Sequence, residues 1–481
     1  MSTITKKIFL KTISCPTLGW VTNSEPPKQN ESISDILRME EGLEIHERAR
    51  TVFPEGYFIK GDNVTAAEKT QEILKDESIP VIFEATFLVD GYIAKADILI
   101  RQSSGWHILE VKSGVNDKKE YLDDLAYTAM VAGNAGLEIS ECSLMLLSRD
   151  YRLGMENDKL FTEINHTEEV LLQAKEFTDH CDVIRKIISL DSKPDVELKW
   201  ECKGCDIFKE CFDQGIENHI FDIPRLGEKK FQKLVASAIL RIEDVPEDFK
   251  LTPPQAKVRD AVKSGKTFVN KVGINDALNS ISFPTYNLDF ETVQTAIPLY
   301  SDIPPYAQIP TQYSIHICSS QGQIDGHFDY LADPMKDCRR ELAEKLISDC
   351  GNKGSIIVYT SFEKTRLKAL IGLFPDLEKP LNTLLERTID INKLISDNLY
   401  HPEFHGSYSI KRVLPVLVPD LGYEDMDVSN GQDASATFAY MAKGKYDDEE
   451  AKDKRKQLLE YCKLDTLAMV KLHECLIKNI Q

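Results

Sequence analysis

Four cysteines constrain this chain more than any other feature: Cys15, in Ser14-Cys15-Pro16, and the triplet Cys202-x2-Cys205-x5-Cys211. Thiolates that share a metal from both ends of a segment clasp it like a buckle, so the spacing predicts one domain over residues 1–215. Between the two ends lie Gly42-x3-His46, Asp97 and Glu110-x-Lys112. An imidazole, two carboxylates and an ammonium group together suit a divalent cation and a water. The other seven cysteines have no such grouping and read as buried thiols.

Length and charge narrow the rest. A chain of 481 residues is long enough for about two to four domains with cores of their own. No apolar stretch approaches the roughly 18 residues of a membrane span. Lys6, Lys7 and Lys11 are followed by no long apolar signal region. The expected compartment is a reducing cytoplasm, where cysteines act as thiols and metal ligands rather than as disulfides. A net charge of −20 argues against passive wrapping of nucleic acid. Carboxylates that hold divalent cations can still meet a phosphate through the metal. Basic charge is concentrated locally: Phe221 to Lys271 holds 11 Lys/Arg against 7 Asp/Glu, either a basic surface or a solvated helix face.

Hydrophobic patterning divides the chain into three segments. Within 1–215, Val81–Val89, Tyr92–Ile100 and Trp106–Lys112 read as consecutive strands, joined by the hairpin turn Asp90-Gly91 and by Ser103-Ser104-Gly105. Residues 216–280 read as a helical connector, with a helix over Phe231–Arg241 and a break at Pro253-Pro254. Leu226-Gly227 with Lys229 and Lys230 allows a helix–hairpin–helix unit or a plain linker. Residues 281–481 read as an α/β domain: strands at Thr285–Val293, Gln312–Cys318 and Gly354–Tyr359, then a terminal helix over Arg455–Ile477.

Glu110 and Lys112 share one face of their strand, and a neighbouring antiparallel strand can bring Asp97 against Glu110. His46, on a helix with Leu37, Met39 and Leu43, can add a nitrogen ligand, and Glu84 is a second-rank candidate. The ordered set Gly-x3-His, Asp, Glu-x-Lys and cysteine triplet resembles the RecB-like branch of the PD-(D/E)XK nucleases. Within it, the resemblance is to the iron–sulfur group that includes the CRISPR-adaptation nuclease and AddB. That resemblance implies a restriction-endonuclease-like fold, Mg²⁺ or Mn²⁺ on His46, Asp97 and Glu110, and Lys112 orienting or activating water. It also implies a four-iron iron–sulfur cluster on Cys15, Cys202, Cys205 and Cys211; Zn²⁺ on four thiolates remains the alternative. The family has Gln-x3-Tyr on the following helix, where this chain offers Thr128.

A second acidic set lies downstream. Asp289 and Glu291 are two apart on a strand and point to one side, while Tyr461 and Asp465 share a helix face at i and i+4. Glu363 sits where the strand ending near Tyr359 runs into a helix, and Asp390 competes with it for the same role. This order resembles the tyrosine subtype of the DnaQ-like DEDD exonucleases, which have an RNase H-like fold. The resemblance implies two Mg²⁺ or Mn²⁺ ions on Asp289, Glu291, Glu363 and Asp465, with Tyr461 positioning the nucleophile. Glu363 stands where that family has Asp, and Ser407-Tyr-Ser-Ile-Lys-Arg-Val413 resembles its helix start after the second motif. The pairing of the two halves also resembles a bacterial family whose shared domain is catalogued without a function.

The sequence therefore leads to the expectation of an α/β nuclease with two active sites that hydrolyses DNA exonucleolytically. An RNA-trimming 3′–5′ exonuclease and a non-cleaving protein that binds nucleic-acid ends are the alternatives. No P-loop signature occurs, so unwinding would require a helicase or another repair or defence partner.

Overall fold

Asp90 and Gly91 both adopt positive φ, 50° and 82°, as a two-residue hairpin turn requires, and this turn sets the register of the first sheet. The computed structural model describes residues 3–24, 31–212, 216–423 and 426–478. It is a mixed α/β protein in two compact units, Met1–Glu197 with Thr295–Ala307, and Leu198–Gln294 with Gln308–Gln481. No helix among the described residues is long and apolar enough to cross a membrane.

The first unit holds β1 (Tyr57–Phe58), β2 (Val81–Val89), β3 (Tyr92–Gln102), β4 (Gly105–Val111), β5 (Ile139–Leu147) and β6 (Phe161–Asn165) in that spatial order. β2, β3 and β4 form an antiparallel meander, and β4 runs parallel to β5. A parallel neighbour needs a crossover, supplied by the Lys119–Asn134 helix. One sheet face, with Ile82, Leu99, Ile108 and Leu144, packs against that helix and against Val170, Phe177 and Ile184 of the Thr167–Ile188 helix. The other face, with Phe83, Ile98, Leu109 and Met145, packs against Ile45 and Ala49 of the Ile33–Thr51 helix. Ser32 caps that helix through a capping box with Asp35. Of the helix residues Leu37, Met39 and Leu43, Leu37 is buried while Met39 and Leu43 face solvent.

The second unit is built on β8 (Thr285–Val293), β9 (Ile309–Ser320), β10 (Gln323–Leu331), β11 (Ser355–Val358) and β12 (Thr388–Asp390). A separate antiparallel pair joins β7 (Phe268–Val269) to β13 (Leu399–Tyr400). The main sheet runs β10–β9–β8–β11–β12, antiparallel through its first three strands and parallel from β8 to β12. The Gly431–Ala442 helix packs on β8, and the Asp448–Lys478 helix packs on β8 and β9.

These units differ from the three expected segments. The division falls at 197/198 rather than 215, which lies outside the described residues, and 216–280 belongs to the second unit. Residues 295–307, between β8 and β9, belong to the first unit, where the Ala296 amide donates to the buried Glu41 carboxylate at 3.2 Å. The connector helix spans Glu228–Ala236 and stops early because Ala238 takes a positive φ of 57°. Pro253-Pro254 opens a helix instead of breaking one: Thr252 caps Pro253–Ser264 and the prolines fill positions that need no amide donor.

Phe9, on the Lys6–Ser14 helix, is fully buried, its ring meeting Tyr92, Tyr127 and Phe177 at 5.0–6.0 Å. Phe9→Ala is expected to lower the stability of the first unit by about 3–5 kcal/mol, measured by urea unfolding of the full chain. A loss below about 1 kcal/mol would mean that the N-terminal helix is not anchored in this core.

Candidate active sites

In the first unit Glu84 on β2 and Asp97 on β3 stand opposite each other where the ladder omits one pair, between Phe83–Ile98 and Ala85–Ala96. Glu84 adopts a left-handed φ of 58°, and both strands change face there. Phe83 and Ile98 enter one core while Ala85 and Ala96 enter the other. The irregularity turns both acids toward the Ile33–Thr51 helix, so that His46, Glu84 and Asp97 each offer a ligand atom within 4.8 Å of the others. His46 Nδ1 lies 3.8 Å from Asp97 Oδ1, and Asp97 Oδ2 accepts the Val111 amide at 2.8 Å.

Glu110, expected as the third ligand, is 2% exposed and sits beside this trio with two lysines. Its Oε1 accepts from Lys6 Nζ at 2.9 Å and Lys112 Nζ at 3.0 Å; its Oε2 is buried without a hydrogen-bond partner. Lys112 also pairs with Asp124. Burial alone would raise the Glu110 pKa, but the two ammonium groups outweigh it and hold the carboxyl at about 2. Asp97 is pushed well above the ordinary range by burial and by the Glu110 charge. Burial, opposed by Glu110, lowers His46 and keeps its imidazole neutral, the form that ligates a metal. Lys112 is raised, because Glu110 and Asp124 overcome its desolvation. It therefore stays charged and orients groups by donating, not by taking a proton. A cleft of about 290 Å³ opens here, lined by Lys6, Lys95, Asp97, Tyr127 and Thr128 among others. Thr128 is buried and donates to the Asp124 carbonyl at 3.2 Å, so it cannot take over the reach of a glutamine.

In the second unit Asp289 and Glu291 on β8 meet Asp465 from the Asp448–Lys478 helix, each with a ligand atom within 4.8 Å of the other two. Glu363, in the first turn of the Phe362–Leu373 helix after β11, is 3% exposed with Oε2 lacking a hydrogen-bond partner. Burial raises all four, and repulsion from neighbouring carboxylates adds to the shift of Asp289, Glu291 and Glu363. Asp289 goes well above the ordinary range, and Glu291 goes to about 8. Burial takes Glu363 to about 7, with Asp390 and Asp465 adding to the shift. Burial carries Asp465 to about 6 against the hydroxyls of Tyr423 and Tyr461 and the charge of Lys411. Tyr423 Oη donates to Asp465 Oδ1 at 2.5 Å. Burial and Asp465 push the Tyr461 phenol far up, so it acts as a donor. Asp390 caps the Ile391–Asn398 helix by accepting the Lys393 amide at 2.8 Å, which leaves Glu363 ahead of it as third ligand.

Three contributors had no assigned role in the sequence. Lys6 arrives from the N-terminal helix and Tyr423 from a loop, and neither carries a local signal. Lys411 lies in the Ser407–Val413 segment, and its charge opposes the rise of Glu291 and Asp465.

The expected thiolate ligands fall in both units. Cys15 is the C-cap of the Lys6–Ser14 helix in the first unit. Cys202, Cys205 and Cys211 lie in the second, at the Trp200–Cys202 turn, after it, and in the Phe208–Phe212 helix. Among the described residues, the sets of three or more His, Cys, Asp or Glu close enough to share one ion include no cysteine.

Residues 286–409 match the family model described as Domain of unknown function (DUF2779). That stretch runs from β8 past β13 and includes Asp289, Glu291, Glu363 and Asp390. The chain is 22% identical over 234 residues to the uncharacterized protein MG366 of Mycoplasma genitalium, covering 44% of this chain and 35% of that protein. It is 23% identical over 211 residues to the MG366 homolog of Mycoplasma pneumoniae, covering 40% and 32%. It is 27% identical over 165 residues to the uncharacterized protein UU173 of Ureaplasma parvum, covering 30% and 24%. The chain thus spans about a third or less of the length of these relatives.

Proposed function

We propose that this protein is a metal-dependent nuclease that hydrolyses phosphodiester bonds of DNA, with an exonucleolytic site in its second unit and a PD-(D/E)XK-type site in its first. The observation that carries the reading is the meeting of Asp289, Glu291 and Asp465 within 4.8 Å, with buried Glu363 near enough for its charge to raise Asp289 and Glu291. Four buried carboxyl groups, three of them raised further by their neighbours, are incompletely neutralised by Lys411, and hard oxygen donors select Mg²⁺ or Mn²⁺. The donor set therefore fits such ions, with Asp289, Glu291, Glu363 and Asp465 as holders. When bound, they supply Lewis acidity toward a phosphodiester and a lowered pKa for water.

The protein's own groups do the positioning. Protonated Tyr461 is a hydroxyl donor beside the carboxylates, suited to orienting a water for in-line attack. Tyr423 fixes Asp465 through its short hydrogen bond. Lys411 sets a positive charge toward Glu291 and Asp465, favouring their ionised, ligating forms. In the first unit, His46, Glu84 and Asp97 are the proposed ion holders, with the free Glu110 Oε2 at their side. Charged Lys112 and Lys6, both bonded to Glu110, would supply positive charge for an anionic phosphate near that group. A second reading, restricted to the first unit, is that it binds nucleic-acid ends without cutting. Thr128 in place of glutamine and the engagement of Lys112 with Asp124 favour it.

Three measurements test this reading. Asp289→Asn is expected to lower Mn²⁺-dependent release of nucleotides from DNA by about 10²-fold or more. Asp97→Asn should give a partial loss if the first unit cuts, and none if it only binds. Full activity in the double variant contradicts the proposal, and matched RNA oligomers decide the sugar preference. Stability supplies the second test. Glu291 has a folded pKa of about 8 against an ordinary 4.5, so its contribution is present below about 4.5 and lost as pH rises through 8. The metal-free protein should therefore melt at a lower temperature at pH 8 than this cluster permits at pH 5. Saturating Mg²⁺ should raise Tm more at pH 8, and an equal increment at both values contradicts it. The iron–sulfur expectation has its own test: anaerobically purified protein should be brown and iron-bearing, and a colourless zinc-bearing sample contradicts it.

A further inference from the structure

The first unit contains another convergence of potential ligands. His107 on β4, Glu141 on β5 and Glu163 on β6 each offer one ligand atom within 4.8 Å of the other two. His107 pairs in register with Glu141, and Glu163 pairs with Met145 four residues along β5. All three therefore project from one sheet face. It is the face that carries Leu109 and Met145, opposite the one from which Glu110 projects.

His107 is only 4% exposed, yet its Nε2 is buried without a hydrogen-bond partner. Nε2 lies 3.5 Å from Glu163 Oε1, and Nδ1 lies 3.9 Å from Glu141 Oε2. The ring thus reaches between two carboxylates without bonding to either. Leaving a buried ring nitrogen unsatisfied is costly, and the cost disappears if the nitrogen ligates a cation. Donors around a tetrahedral zinc sit about 3.3–3.5 Å apart, close to the observed Nε2–Oε1 gap. Glu141 is held from outside: Gln102 donates to Oε2 at 2.7 Å and Asn165 to Oε1 at 2.6 Å. Amides of this kind orient a ligating carboxylate. Glu163 is half exposed, leaving an open side for water.

We propose that His107, Glu141 and Glu163 form a binding site for a borderline transition-metal ion, Zn²⁺, completed by water. One imidazole with two carboxylates favours such an ion over Mg²⁺, which prefers oxygen alone. The ion would staple β6, an edge strand with little buried surface of its own, to β4 across β5. The site is separate from both acidic centres and independent of the proposed activity.

Zn²⁺ titration of the metal-free full chain by calorimetry, with bound metal counted by elemental analysis, tests it. Glu163→Gln and His107→Gln should each lose one Zn²⁺ equivalent, or weaken that site about tenfold or more. Asp97→Asn should retain it. Glu163 is on the surface, so its variant stays folded by circular dichroism even if His107→Gln does not. A folded Glu163→Gln chain with the parent's stoichiometry and affinity overturns the proposal.

Discussion

Repulsion among buried carboxylates is the interaction around which the second unit is organised. Asp289 and Glu291 leave β8 on one side, and the Asp448–Lys478 helix brings Asp465 to them. Carboxyl groups held so close cannot all ionise in a site partly shut from water, so the cluster either keeps protons or collects cations. Apolar packing fixes the arrangement: Leu288 and Phe290 alternate with the acids into the core, and Leu458, Cys462 and Met469 bury the helix. A fold that forces acids together in this way gives up stability at neutral pH that a bound ion restores.

The first unit handles the same problem differently. Glu110 is already neutralised by Lys6 and Lys112, and the repulsion falls instead on Asp97. The Lys6–Glu110 ion pair depends on the docking of the N-terminal helix through Phe9, so core packing and site electrostatics are linked. The irregular pair Glu84–Asp97 is the other device. A left-handed residue inside a strand is strained, and here it turns a second carboxylate toward His46.

Legibility in the sequence followed the range of the interaction. β2 and β8 have the expected bounds, because alternation and the Asp-Gly turn act within a few residues. Asp289 with Glu291, and Tyr461 with Asp465, were readable because strand and helix periods place them on one side. The approach of Glu84 to His46 and Asp97 has no mark in the sequence, since regular alternation gives no sign of a backbone that reverses face. Lys6 and Tyr423 reach their sites across more than a hundred and about forty residues respectively, with no local pattern to mark them. The assignment of 295–307 to the first unit was invisible for the same reason: a loop between adjacent strands ordinarily stays with its sheet.

The central claim is that Asp289, Glu291 and Asp465 converge in order to ligate hard cations. Anomalous diffraction from crystals of the full chain grown with Mn²⁺ at pH 8 tests it most directly. The account predicts an Mn²⁺ peak bounded by these three carboxylates. Metal-free, mutually hydrogen-bonded carboxyl groups at saturating Mn²⁺ would contradict it.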